Sequence, residues 1–561
     1  MSKKLLALLL AMLLACTLLA GCTSEQVVWE SYEEGGSTGE DGGEDGGEVE
    51  KIETVVTDKD GKTSIIKVTR TKAKKTTKGT GKTTTKKSVG TKKPGEVLSY
   101  DAIPDAGANY AVKGNISIAV DTARFADYDA MFDVMKKLYP NVKISFDRWQ
   151  HTNLDTAMEY LTTRMRTGDA ADIIWDESGK LPYYIAQKWI RPITKYVNAD
   201  PEAKNIPANV RESMTFGGEL WAVPHQATFS TVAFNDKLMT QLNAKYPALN
   251  WSWADMCALL EKGASGLDKG ISVGSEDVYF VTERYTQWAA AAKGKHGVKS
   301  LNSVDLKTNS IDVQDIRDKA TELLRLRNIA GVEGWKTSTQ KDSSGQSVMS
   351  VKFGLTSYKN FWSSGKSLME VDGTWKEQQW DQNKNLKYVV WPSPNVNGDL
   401  PVHIDHCFIT SACSDDKMDT AYQLLRFMTF TTNGNLARLT MYDKEGIEKY
   451  NLNAHIFYPV TTNQTVINKF NALERTNKTD EYMLKNIPNS TRFDTRKFMP
   501  DVDENYSDAK ISAAYNKMTD GSAGMSEADE EIADFNKRMA DSVAKSQKDI
   551  AAAVAYWKNK K

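Results

Sequence analysis

Trp175, Asp176 and Glu177 are consecutive. An indole face beside two carboxylates suits a ligand with both apolar C–H faces and hydroxyl groups. Asp121 and Arg124 form a second polar pair upstream. Other arrangements that could carry chemistry fail on context. Gly270-Ile271-Ser272-Val273-Gly274 has the spelling of a nucleophile elbow but follows a Gly/Ser/Lys loop, where the elbow needs a strand. Thr80-Gly81-Lys82-Thr83 lacks the earlier glycine, the strand and the helix of a phosphate loop. Two His and a Cys in His403-Ile404-Asp405-His406-Cys407 are possible zinc ligands, but the run alternates like a strand and lacks further ligands at the usual spacing. Asp501, Asp503 and Asn505 begin like a calcium loop, yet Tyr506 stands where it needs Gly and Ser512 where it needs Glu. No metal and no cofactor is expected.

These residues must be held by elements, and the pattern supplies them. Asn115 to Val120 reads as a strand, Phe125 to Tyr139 as a helix stopped by Pro140, and Val142 to Phe146 as a second strand. Leu154 to Thr167 places Leu154, Met158, Leu161 and Met165 on one helical face, and Gly168 ends it. Asp172 to Trp175 is a third strand and Leu181 to Trp189 a further helix. Alternating strands and helices indicate an α/β layer with a mostly parallel sheet. Ligands of such sheets bind beyond the carboxyl ends of the strands, where Asp121, Arg124, Trp175, Asp176 and Glu177 stand.

The chain has 561 residues, suited to two or three domains, and a net charge of −1 that argues against a nucleic-acid partner. That average conceals segregation. Glu30 to Glu50 contains no Lys or Arg, and Lys62 to Lys93 contains no Asp or Glu. Such composition cannot offset chain entropy and reads as a disordered stalk, with at most a transient strand at Ser64 to Val68. About 75 residues of such coil span roughly 50 Å. Before it, Lys3, Lys4 and the apolar run Leu5 to Leu19 form a secretory signal. Leu19-Ala20-Gly21-Cys22 resembles the bacterial lipobox, which implies a diacylated Cys22 and a tether on the outer face of a membrane. Cys257, Cys407 and Cys413 remain, an odd number that gives no disulfide framework and leaves one bridge or three thiols open.

Several further segments carry a family resemblance. Asp127-Tyr128 through Tyr139-Pro140-Asn141-Val142, Thr167-Gly168 through Trp175, and Gly217-Gly218 through Val223-Pro224 follow in order. Val232 to Leu238, Trp251-Ser252-Trp253-Ala254-Asp255, Gly365 to Met369 with Gly373-Thr374-Trp375, Ala421 to Phe430 and Gly521 to Ala533 continue it. Their order resembles the extracellular solute-binding proteins of ABC importers, in the branch of maltose-binding protein. Each motif is weak and their succession is specific.

The resemblance implies a two-lobed, periplasmic-binding-protein-like α/β fold of type II, with a hinge and a ligand cleft between the lobes. On this chain it implies a signal at 1–22, a linker at 23–114, a first lobe from 115–227 with 403–440, and a second from 228–402 with 441–561. Crossings fall near 225–229, 392–402 and 440–458. It implies a monomer that captures a carbohydrate and delivers it to ABC permease subunits. The cleft then gains His225 with Gln226, Tyr285 with Gln287 and Trp288, and Trp362, Asp372, Trp375 and Tyr506; Trp375 is the main stacking candidate. Surface enzymes remain a competing class, since glycosidase carboxylates need not be adjacent in sequence. An adhesive lipoprotein predicts repeats or a cysteine scaffold, and neither is present.

Overall fold

The computed structural model describes residues 49–57, 63–71, 105–121, 128–149, 154–177, 180–267, 304–305, 310–311, 341–356, 360–383, 386–394, 400–443, 458–492 and 525–560. The signal, Cys22, Arg124, the 270–274 run, Tyr285, Gln287, Trp288 and the 501–512 run with Tyr506 lie outside them. The chain divides into two units, residues 1–91 and 92–561.

In the first unit, β1 (Val49–Thr57) and β2 (Thr63–Thr71) pair antiparallel from Val49 with Thr71 to Thr57 with Thr63. The sequence reading allows only a transient strand at Ser64 to Val68. The strands are longer because Val, Ile and Thr recur throughout both, and β-branched side chains suit a pleated surface.

The second unit is built on an eight-stranded sheet. β3 (Gly114–Asp121) lies between β4 (Val142–Trp149) and β5 (Ile173–Glu177), parallel to both. β6 (Val223–Asn235), β7 (Met369–Gly373), β8 (Tyr388–Pro392) and β9 (Pro401–Ile409) complete the part that matters for the site. β9 is antiparallel to β5 and to the first half of β6. The second half of β6 pairs antiparallel with β7 and with β8. The sheet is therefore parallel on the β4–β3–β5 side and antiparallel where β6 and β9 cross.

Local sequence explains the helices. α1 (Asp129–Leu138) buries Met131, Phe132 and Met135, one helical face, and gives way at Tyr139 because Pro140 disfavours helical backbone before it. α2 (Leu154–Thr167) has the predicted limits, with Gly168 at φ +78° after it. α3 (Leu181–Ala186) ends earlier than its periodicity suggests, as Lys188 turns left-handed at φ 61°. α5 (Trp253–Gly266), which follows α4 (Thr194–Ala199), starts with a capping box: Ser252 N donates to Asp255 Oδ2 at 2.7 Å and Asp255 N to Ser252 Oγ at 3.2 Å. Cys257, Cys407 and Cys413 are buried and not joined in disulfides. No helix among the described residues is long and apolar enough to cross a membrane.

Two main cores form. The first gathers β3, β5, β9 and the start of β6 with α6 (Met418–Thr429) and α7 (Thr432–Leu439). The second gathers Val232 and Phe234 of β6 with α5 and β7. The sequence reading assigns 441–561 to the second lobe. The structure instead buries Val466 and Phe470 of α8 (Gln464–Asn471), Met483 of α9 (Lys478–Asn486) and Val554 and Trp557 of α10 (Met525–Asn559) in the first core. Tyr458 shows why. Its carbonyl accepts from Ala227 N at 2.9 Å and its ring packs edge-on to Phe229 at 5.1 Å, so the returning chain joins the first-lobe half of β6.

Candidate ligand-binding site

β6 passes from one core to the other, and all of its 13 residues are buried, His225, Gln226, Thr228, Ser230 and Thr231 among them. Buried polar groups need partners. Near the start of β6 they find Arg438 of α7, itself 2% exposed. Arg438 Nη1 donates to the His225 carbonyl at 3.0 Å and lies 3.2 Å from His225 Nδ1. Nη2 donates to Gln226 Oε1 at 2.8 Å. Gln226 Nε2 then donates to Asp405 Oδ2 on β9 at 2.7 Å. The guanidinium carbon also stands 4.6 Å from the Tyr128 ring and 5.7 Å from the Trp175 ring. One cation thus fixes both crossing strands against two aromatic faces.

This end of the junction is closed. Trp175 is fully buried, 4.7 Å from the His225 ring and edge-on to Tyr128 at 5.2 Å. The sequence reading gives Trp175 and His225 a ligand face. In the structure β5 runs on to Glu177, so Trp175 sits inside the strand and not beyond its end. His225 is likewise occupied by Arg438. Asp121 and Glu177 are the last residues of β3 and β5, with Asp176 before Glu177, and Glu177 pairs with His406 of β9. The end of β5 therefore meets a crossing strand, and the end of β3 pairs with Trp149 of β4.

The other end is half-open. β7 brings Gly373 opposite Ser230, and β9 brings His403 opposite Thr228. Trp375, two residues past β7, meets the His403 ring at 5.0 Å, nearly perpendicular. Phe229 N donates to Thr374 Oγ1 at 3.2 Å, which ties this turn to β6. Gly373 is required by close approach: a Cβ there would come within 2.3 Å of the Trp375 ring. Asp372, its side chain 19% exposed, lies 3.7 Å from Lys376 Nζ. Burial pushes the Asp372 carboxyl up to about 6, against the pull of Lys376 and of a hydrogen bond from Trp375. An indole and a carboxylate therefore stand together at the seam between the cores.

Trp362 does not join them. It is 5% exposed and packs edge-on to Trp380 at 5.8 Å in a small core with Ala233 and Leu386. The sequence reading places it at the cleft; its ring offers no free face because its short helix, Asn360–Ser363, turns it inward. Of the predicted residues, Trp375 and Asp372 are brought to the seam, with His403 from the run weighed for metal. Arg438 was hidden from sequence reasoning. Its partners are more than 200 residues away, and one arginine in a short helix gives no periodic signal.

The sequence profile described as bacterial extracellular solute-binding protein matches residues 119–435. No curated protein matches the chain in sequence. Among solved structures, a sugar transporter from Rhizobium etli in an open conformation is similar at TM-score 0.55 and 16% identity, over 76% of this chain and 99% of that one. A cyclic α-maltosyl-1,6-maltose binding protein from Arthrobacter globiformis is similar at TM-score 0.54 and 12% identity, over 76% and 99%. An ABC substrate-binding protein from Listeria monocytogenes in complex with cycloalternan is similar at 0.52 and 14%, over 76% and 99%. At these identities the likeness shows the fold, the two-lobed type II solute-binding architecture.

Proposed function

The chain belongs to the bacterial extracellular solute-binding proteins, and from that premise we propose that it captures a carbohydrate between its lobes and delivers it to an ABC permease. The observation that carries this reading is the seam at Trp375. A sugar needs an aromatic plane for its C–H face and a fixed carboxylate for its hydroxyls. Trp375 supplies the plane, held in place by Gly373 and Thr374, and Asp372 the carboxylate beside it. His403 backs the indole from β9. The carbohydrate ligands named for the Arthrobacter and Listeria proteins support the ligand class.

Capture works by closure. β6 and β9 cross between the lobes, so small changes along them rotate one lobe on the other. Arg438 holds the first-lobe part of both strands rigid and confines bending to the part beyond Thr228. The ligand stabilises the closed state only by contacting both lobes. Lipidation at Cys22 would keep the binder near its permease, with the low-complexity segment as the stalk.

A melting screen against mono- and oligosaccharides tests this reading. A binder at a hundredfold excess over Kd gains about 2.7 kcal/mol and returns the sugar intact. Recovery of a cleaved sugar would instead identify a surface enzyme. Tight binding to a polymer with no response to soluble sugars would identify an adhesin.

A further inference from the structure

Just past Trp375 the second lobe meets the first again. The short helix Glu377–Gln382 and β8 stand on one side, and α9 with the loop before it on the other. Thr479 Oγ1 of α9 donates to the Val390 carbonyl of β8 at 3.2 Å. Arg475 Nη2 lies 3.6 Å from Asp381 Oδ2. Both contacts join second-lobe elements to a segment whose Met483 and Leu484 are buried in the first core. Glu377 and Asp381 from one side, and Arg475, Lys478 and Asp480 from the other, line a groove of about 650 Å³.

The three carboxyls are served unequally. Asp480 Oδ1 accepts from the Tyr458 hydroxyl at 2.6 Å and Oδ2 from Asn477 N at 2.8 Å. Asp381 Oδ1 accepts from the Tyr388 hydroxyl at 2.6 Å, and its Oδ2 faces Arg475. Glu377 Oε1 is buried without a hydrogen-bond partner. Asp480 and Asp381 therefore have donors for their charge, and Glu377 is the group that must hold a proton to stay buried. Burial pushes its carboxyl up to about 8; the charges of Asp480 and Asp381 add to this, and Arg475 opposes it. Burial raises Asp480 as well, against its hydrogen bonds from Tyr458 and Asn477.

We propose that Glu377 and Asp480 form a proton-dependent latch between the lobes. With Glu377 protonated, its helix rests against α9 as observed. Loss of the proton leaves two carboxylates in one groove, and the charged Glu377 regains hydration only when its helix moves away from α9. Trp375 belongs to the turn that leads directly into this helix, so the indole moves with it. In the separated arrangement Glu377 has the ordinary value of 4.5 and ionises first. The apposed arrangement is therefore fully favoured below that value, and the advantage is lost as pH rises through about 8.

Hydrogen exchange read by mass spectrometry on the full chain, without ligand, tests the latch independently of the sugar reading. Protection factors, corrected for the intrinsic pH dependence of exchange, are followed in Glu377–Gln382 and Lys478–Asn486 across that window. Both segments should lose protection together, by up to about tenfold per pH unit. Glu377→Gln copies the protonated side chain and should keep protection constant. Arg475→Gln removes the cation that opposes the shift, so its transition should move to higher pH. The same pH dependence in Glu377→Gln as in the wild type, or a loss confined to Glu377–Gln382, would overturn the latch. An unmoved transition in Arg475→Gln would count equally against it.

Discussion

Trp175 and Trp375 each stand beside a histidine of a crossing strand, at 4.7 Å from His225 and 5.0 Å from His403. Both belong to segments with the same family resemblance, yet one is fully buried and the other only half-buried. The difference lies in what surrounds the histidine. His225 is covered by Arg438, whose guanidinium also covers Tyr128 and Trp175, so the packing there is complete in the first core alone. His403 meets, nearly perpendicular, an indole that belongs to the turn after β7, on the other side of the crossing. Packing within one lobe makes a floor. Packing across the seam leaves a face that a ligand can complete.

The contrast can be broken most strongly at Trp175. Trp175→Ala should cost about 3–5 kcal/mol in denaturant unfolding, as for a large truncation in a core, whereas Trp375→Ala should cost about 1 kcal/mol and abolish the sugar-dependent melting shift. Equal costs would erase the distinction between floor and face. Arg438→Met keeps some packing on Tyr128 but strands the His225 carbonyl and Gln226 without their donor. A loss of about 3 kcal/mol is expected, and a neutral result would mean that the guanidinium does not fix the crossing.

Gly373→Ala sharpens the other end. Its Cβ must displace the Trp375 ring, so about 1–3 kcal/mol of stability should be lost, with sugar binding reduced as far as in Trp375→Ala. Full binding by this variant would show that the observed ring position is irrelevant. Titration of Asp372 tests the same end by pH. Its folded value, about 6, exceeds the ordinary 3.8, because burial disfavours its charge. The unfolded chain therefore ionises first. The stability gained from protonated Asp372 is complete below the unfolded value and is lost as pH rises through about 6. Asp372→Asn should flatten the stability profile in that window, and an unchanged slope would place the carboxyl in water.

Much of this was legible beforehand, and particular residues show why. The limits of α2 and the stop before Pro140 depend on neighbours in sequence, so periodicity and backbone sterics sufficed. Gly373-Thr374-Trp375 was legible only through its family resemblance, and the close approach of Gly373 to the Trp375 ring came from the structure. The burial of Trp175 was not legible, because a difference of two residues in the end of β5 turns a strand-end residue into one inside the strand. The packing of Trp362 on Trp380 was not legible, because a short helix does not announce which way it faces.

The sequence by itself determined the alternation of strands and helices, the segregated charges before Gly114 and the order of family motifs. These are properties of short stretches, set by side-chain size, charge and backbone freedom. Only the tertiary structure decided that α8, α9 and α10 complete the first core, since an amphipathic face says that it must be buried but not against what. It also decided which tryptophan stays half-open, because that depends on a guanidinium contributed by Arg438 from far along the chain. Local physics is written locally, whereas a site at a seam exists only once both sides have been brought together.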